Sequence, residues 1–191
     1  SDAYDYLEEV EKILESKSLL TESNGAIVVN VAKEDDKKEV PPLLFKKSNG
    51  AYLYASTDLG TIVQRMKDFN PDHILYVVDN RQGLHFEQVF RASYKAGLIN
   101  SDAKLLHLGF GTINGSDGKP YKTRDGGVMQ LSDLIDLIAR EIEPKMKAEI
   151  MDDREEIKNK LTIATLKFSD LMSHRATDYI FDPVKFSSFD G

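Results

Sequence analysis

From Ser56 to Leu108 the sequence alternates amphipathic helical segments with short apolar runs, and this rhythm restricts the chain to a parallel sheet with helical crossovers. Leu59, Ile62, Val63 and Met66 recur at helical spacing. "HILYVVD", His73 to Asp79, is a nearly continuous apolar run and predicts a strand buried on both faces. Phe86, Val89 and Phe90 mark the next helix, and Leu105 to Leu108 the next strand. A Gly-rich stretch from Gly109 to Gly127 precedes a helix carrying Leu134, Ile135, Ile138 and Ile142, which Pro144 should end. Ile157, Leu161, Ala164, Phe168 and Leu171 predict a final amphipathic helix.

The first 55 residues follow a different pattern. Leu7, Val10, Ile13 and Leu14 predict an amphipathic helix over residues 3 to 20, stopped by Asn24-Gly25. Ala26 to Val29 reads as a strand, "KEDDKKE" as a charged turn, and Leu43 to Phe45 with Ala51 to Ala55 as two paired strands about Ser48-Asn49-Gly50. With 191 residues, 41% of them hydrophobic and 30% charged, the chain has room for one domain with a real core, or one and a small appendage. That balance excludes a disordered or collagen-like chain. The absence of cysteine removes disulfides, thiolate metal sites and cysteine nucleophiles. No apolar run approaches the roughly 20 residues of a membrane helix, and no signal segment opens the chain, so the expected address is the cytoplasm. A net charge of -7 argues against broad nonspecific nucleic-acid binding, although a local basic surface can exist on an acidic protein.

Ligands of open α/β sheets gather where strand ends lead into helix N-termini, and three segments have that character. In "YASTDLG", Tyr54 would close a strand and Asp58 open a helix; Asp58 is either a cap and dipole partner or an anion for a cationic ligand. In "DNRQGLHFEQVF", Gln82 and His85 follow a strand, and Gly83 permits a tight start to the helix; a histidine here is a packed or capping residue, or part of a site. In "HLGFGTINGSDGKPYKTRDGG", the cations Lys119, Lys122 and Arg124 lie in a Gly-rich loop that is either ordinary solvent loop or a mobile loop closing over phosphate. Gly109-x-Gly111 does not complete a dinucleotide fingerprint, because the next glycine is Gly115. The four histidines lack zinc-site spacing, so no structural metal is expected. Lys145, Lys147, Arg154, Lys158 and Lys160 alternate with acids and read as a solvated helix face.

Taken together and in order, "SLLTESNGAIVV", "YASTDLG", "ILYVVDNRQGLHFEQVF", "HLGFGTINGSDGKPYKTRDGGVMQLSDLI" and "LKFSDLMSHRATDYIFDPVKFSSFDG" resemble the arginyl-tRNA synthetase family of class I aminoacyl-tRNA synthetases, from about Tyr4 to Gly191. The resemblance implies an α/β fold: the second half of a Rossmann-like parallel sheet over residues 58–150, preceded by an insertion of helix and β-hairpins over 1–57. Residues 151–191 would lead toward an anticodon-binding domain. It implies an arginine-tRNA ligase, with ATP, L-arginine and tRNA(Arg) as partners, magnesium accompanying ATP, no membrane, and a monomeric state. Residue by residue it assigns Asp58 to the arginine guanidinium, with Tyr54 beside it, Gln82 holding the amino acid and His85 in the same wall. His107, Leu108 and Gly109, with Tyr121, would lie at the ATP site; Lys119, Lys122, Thr123 and Arg124 would form the catalytic KMSKS-like loop. A carboxylate accepting two parallel hydrogen bonds suits a planar guanidinium and not an ammonium. Two departures accompany the likeness: "YKTRD" lacks the second lysine of KMSKS, and no HIGH element occurs, so this stretch alone is expected to be inactive. The alternatives are a non-catalytic synthetase-like paralogue acting as an RNA-binding or interaction module, and a generic nucleotide-binding α/β protein.

Overall fold

The computed structural model describes residues 2–115, 117–119, 129–146, 153–186 and 188. The chain divides into two compact units, Ser1–Gly109 and Phe110–Gly191. In the first, a 3-10 turn over Asp2–Tyr6 leads into α1 (Leu7–Ser16), whose Leu7, Val10 and Leu14 are buried. The helix ends earlier than its hydrophobic spacing suggests. Ser18 takes a left-handed backbone (φ 53), and the chain then forms the hairpin of β1 (Leu20–Ser23) and β2 (Ala26–Val29). Asn24-Gly25, expected to stop a helix, is the two-residue turn of that hairpin, with both φ values positive, 51 and 77.

The antiparallel order β1-β2-β3 is completed by β3 (Leu43–Lys46). The second expected strand of this region is absent: between 51 and 55 only Tyr52 bridges to Lys46, and Tyr54 and Ala55 already belong to α2 (Tyr54–Phe69). Ser56 explains the switch. It is fully buried, donates its hydroxyl proton to the Phe45 carbonyl, and accepts from the Leu53 amide at 3.4 Å, which caps α2 and ties it to β3. Glu11 of α1 holds the same corner, accepting from Lys46 Nζ at 2.5 Å and Tyr52 OH at 2.6 Å.

The parallel pair is β4 (His73–Tyr76) and β5 (Lys104–His107), joined by α3 (Gly83–Ala96) in the expected crossover. β4 is shorter than "HILYVVD" and is not buried on both faces. Ile74 and Tyr76 are buried while Leu75 is 53% exposed, because the helical cover in this unit lies on one face of the pair. On that face Leu59, Ile62 and Val63 of α2 join Phe86, Val89, Ala92 and Ala96 of α3 in the core. Burial of these side chains is worth roughly 1.5–3 kcal/mol for each large apolar group.

In the second unit β6 (Ile113–Asn114) pairs in parallel with β7 (Tyr179–Ile180), and α4 (Leu131–Ile142) packs on α5 (Arg154–Met172); a short α6 (Pro183–Phe186) follows. α4 buries Leu134, Ile138 and Ile142 and gives way to a 3-10 turn containing Pro144, as its sequence predicts. α5 keeps its expected apolar face at Ile157 and Leu161, which pack against the core of this unit, and departs from it further on: Phe168 is 70% and Leu171 79% exposed, whereas Thr162, Thr165 and Ser169 are buried. Two of these hydroxyls donate to carbonyls one turn back, Thr162 to Lys158 O at 2.8 Å and Ser169 to Thr165 O at 2.7 Å. Small, self-satisfied side chains can thus line a buried helix face. Lys158 and Lys160 pair with Glu155 and Glu156 at 2.7 and 2.6 Å; Lys160 is solvated as expected of the basic cluster, whereas the Lys158 side chain is only 15% exposed, and Lys147 lies outside the described residues. Among the described residues no helix is long and apolar enough to cross a membrane.

Candidate functional site

The carboxyl ends of β4 and β5 meet the first turns of α2 and α3 within the first unit. Tyr54 is the first residue of α2 and is 86% exposed; it does not close a strand. Asp58 therefore sits one turn further in, on the same side of the helix as Tyr54, and does not serve as the cap. Its Oδ2 lies 2.6 Å from His85 Nε2, with the two side chains 29% and 33% exposed. A carboxylate only accepts, so Nε2 carries the proton and donates.

His85 reaches Asp58 because α3 starts at Gly83, which places the imidazole in the first turn of that helix. Gly83 has an ordinary helical backbone (φ -54, ψ -47), so its glycine identity is not demanded by backbone geometry. The His85 ring stands edge-on to Phe86 (5.1 Å, 80°). Phe86 in turn contacts Tyr76 at the end of β4 (4.7 Å) and stacks on His107 at the end of β5 (5.7 Å, 18°). Gln82 is exposed in the 3-10 turn Asn80–Gln82 that leads into α3, three residues before His85.

Leu108 continues from β5, its amide donating to Tyr76 O at 2.9 Å, and Gly109 is buried beside Asn80. The Asp79 carboxylate accepts from the Arg81 amide at 2.7 Å and from its guanidinium at 2.6 to 3.1 Å, which holds the Asp79 carboxyl down at about 2 and shapes the turn. Among the described residues, Tyr76 OH and His107 Nε2 are buried with no hydrogen-bond partner. Burial pushes the Tyr76 phenol up to about 12; Arg65, 5.3 Å from its ring centroid, opposes the shift, and the Asp58 charge adds to it.

The structure thus joins Asp58 to His85 directly, and through Phe86 it brings His85 into one packed group with His107. Tyr54, one turn before Asp58, and Gln82, three residues before His85, are exposed at the starts of α2 and α3, and no described hydrogen bond or ring contact joins them to that group. Lys119 lies in the second unit, exposed, its amide donating to Asp117 Oδ1 at 3.0 Å. Tyr121, Lys122, Thr123 and Arg124 lie outside the described residues. Sequence reasoning missed Tyr76 and Arg65. A tyrosine inside an apolar run reads as core, and the only signal for Arg65 was its place seven residues after Asp58, two helical turns along one face.

The sequence model of the family described as "tRNA synthetases class I (R), catalytic domain" matches residues 1–183. The chain belongs to the class I arginyl-tRNA synthetase family. Among curated members, it is 50% identical to the arginine–tRNA ligase of Hyphomonas neptunium over 181 residues, covering 91% of this chain and 31% of that protein. It is 45% identical to that of Alkaliphilus oremlandii, covering 100% of this chain and 33% of that protein. The chain therefore spans about a third of the length of the synthetases it matches. Among solved structures, the arginyl-tRNA synthetase of Plasmodium falciparum superposes with a TM-score of 0.79 at 28% identity, over 98% of this chain and 31% of that one. The Thermus thermophilus arginyl-tRNA synthetase shares the fold, with a TM-score of 0.77 at 18% identity, over 98% of this chain and 37% of that one. The mixed α/β architecture with parallel strands is that of this synthetase family.

Proposed function

We propose that the protein containing this chain is an arginine–tRNA ligase, which activates L-arginine with ATP and transfers the arginyl group to tRNA(Arg), and that this stretch supplies the arginine side of the active site. The observation that carries the reading is the family match over residues 1–183, together with a half-exposed carboxylate, Asp58, at the strand ends where such sheets bind ligands. In this reading Asp58 accepts the arginine guanidinium, Tyr54 borders it, and Gln82 holds the amino-acid end. His107, Leu108, Gly109 and Tyr121 face ATP, and Lys119, Lys122, Thr123 and Arg124 serve the triphosphate as a KMSKS-like loop.

The arginine carboxylate attacks the α-phosphate and pyrophosphate leaves, so negative charge grows on phosphate oxygens, where fixed cations stabilise it. In this reading magnesium arrives with ATP as part of the substrate. The protein acts as a monomer in the cytoplasm. The 191-residue stretch by itself is catalytically silent, since it holds no HIGH element.

Aminoacylation assays test this reading, using protein made from the complete reading frame, ATP and tRNA(Arg), and each of the standard amino acids in turn. Charging with arginine alone is the expected result. Equal charging with lysine, or no charging, would overturn the proposal.

A further inference from the structure

We infer that His85 is a positioning residue for arginine selection: it acts through Asp58, fixing the plane of that carboxylate, and does not itself contact the substrate. The inference rests on the arginine-site reading above and deepens it. Its basis is how the hydrogen-bonding capacity of the pair is used. The Nε2 proton of His85 goes to Asp58 Oδ2 at 2.6 Å, while no described residue donates to Oδ1. One edge of the carboxylate is thus anchored. Oδ1 and the remaining lone pair of Oδ2 stay available for a two-pronged donor.

The anchor is itself rigid. His85 lies edge-on to Phe86, and Phe86 is wedged between Tyr76 of β4 and His107 of β5, with Phe90 also 5.2 Å from Tyr76. With its Nε2 proton committed to Asp58 and its ring packed on this stack, His85 could offer a guanidinium, which only donates, no more than the lone pair of Nδ1, so its effect on arginine runs through the Asp58 carboxylate. What it contributes is order. A carboxylate on a free torsion must lose rotational freedom before both oxygens can meet the planar fork of arginine, and a carboxylate held beforehand has little left to lose. A point-like ammonium needs no such plane, so the same anchor favours arginine over lysine.

Steady-state aminoacylation with the complete protein and tRNA(Arg) tests the inference, with arginine and ATP varied separately and thermal unfolding measured alongside. His85→Ala should raise the arginine KM about tenfold or more, leave kcat and the ATP KM within about twofold, and narrow the arginine-to-lysine preference. His85→Gln, whose amide nitrogen reaches the position of Nε2, should recover most of the loss. His85→Asn, which places its nitrogen nearer the backbone, should not. An arginine KM unchanged in His85→Ala, while Asp58→Ala raises it, would overturn the inference and leave the arginine site standing. Parallel losses in arginine KM, ATP KM and melting temperature that Gln fails to repair would also overturn it, by making His85 a folding residue. An Asp58→Ala protein with unaltered arginine dependence would instead remove the site reading on which the inference depends.

Discussion

The carboxamide oxygen of Asn80 occupies the space that a side chain on Gly109 would need: a Cβ built there would lie 2.1 Å from Asn80 Oδ1, 3.1 Å from Asn80 Cα and 2.9 Å from His107 Cε1. The turn after β4 and the exit from β5 are therefore in backbone-to-backbone apposition at the edge of the candidate site. Gly109→Ala should force them apart and lower stability by about 1 to 3 kcal/mol. Urea denaturation would measure the loss. Asn80→Ala in the same background should restore only part of it, because Asn80 Cα still stands too close. An unaltered midpoint in Gly109→Ala would refute the apposition.

A second glycine reverses an ordinary rule. In an exposed helix interior, exchanging Gly for Ala stabilises by roughly 1 kcal/mol. Gly60, in the middle of α2, has the Ala3 carbonyl 2.7 Å from where a Cβ would be, and the 3-10 turn Asp2–Tyr6 rests on this helix. Gly60→Ala should therefore destabilise, by about 1 to 3 kcal/mol. A raised melting temperature would show that the turn is not held there.

Asp36 and Arg91 give the fold a pH dependence. Both oxygens of Asp36 accept from the Arg91 guanidinium, at 2.7 and 2.6 Å, and Oδ2 also accepts from the Lys33 amide at 2.8 Å. The arginine hydrogen bonds first, then the amide, pull the Asp36 carboxyl down from 3.8 to about 2. A carboxyl lowered in the folded state stabilises it above its unfolded value, and that contribution is lost as pH falls from about 4 through 2. Asp79, also held at about 2, titrates in the same window, so the informative quantity is the difference between proteins. Asp36→Asn should be less stable than the parent at pH 6 and converge with it near pH 2. Parallel stability curves would show that the pair contributes nothing.

Tyr76 separates ring from hydroxyl. Its ring packs on Phe86 and Phe90, but among the described residues the buried OH has no partner at hydrogen-bond distance, and Arg65 is the cation that bears on it. A buried hydroxyl left without a close partner is costly, so Tyr76→Phe should be neutral to stabilising, by up to about 1 kcal/mol. Tyr76→Ala should lose about 3 to 5 kcal/mol through the cavity. Denaturant melts of the two proteins decide this, and a Phe variant weaker than the parent by more than 1 kcal/mol would reveal a bond to the hydroxyl.

Much of this was legible in the sequence where local chemistry acts alone. The helical spacing of Leu59, Ile62 and Val63, and of Leu134, Ile138 and Ile142, places those residues in their cores, and Pro144 ends α4. The crossover from β4 through α3 to β5 is the one that the alternating pattern predicts. Misreadings arose where a tertiary partner decides. Ala51 to Ala55 has strand-like composition, but buried Ser56 captures the Phe45 carbonyl and α2 starts at Tyr54, four residues before Asp58. α5 packs Ile157 and Leu161 against the core of its unit as helical spacing predicts, yet its later apolar residues Phe168 and Leu171 are exposed while Thr162, Thr165 and Ser169 are buried. At the candidate site, Asp58 and His85 stand 27 positions apart, and only the docking of α3 against α2 makes them a pair.

The two ladders of the first unit differ in how much chain must close to form them. The Asn24-Gly25 turn lets Ser23 meet Ala26 at once, whereas His73 can pair with Lys104 only after the whole of α3 has been laid down between them. Closing the shorter loop is entropically easier and faster. In refolding, the hairpin should therefore be protected early from hydrogen exchange. The Asp58–His85 pair requires α3 in place, so it should be assembled with the slower, later ladder, and the candidate site should be among the last parts of this unit to gain protection.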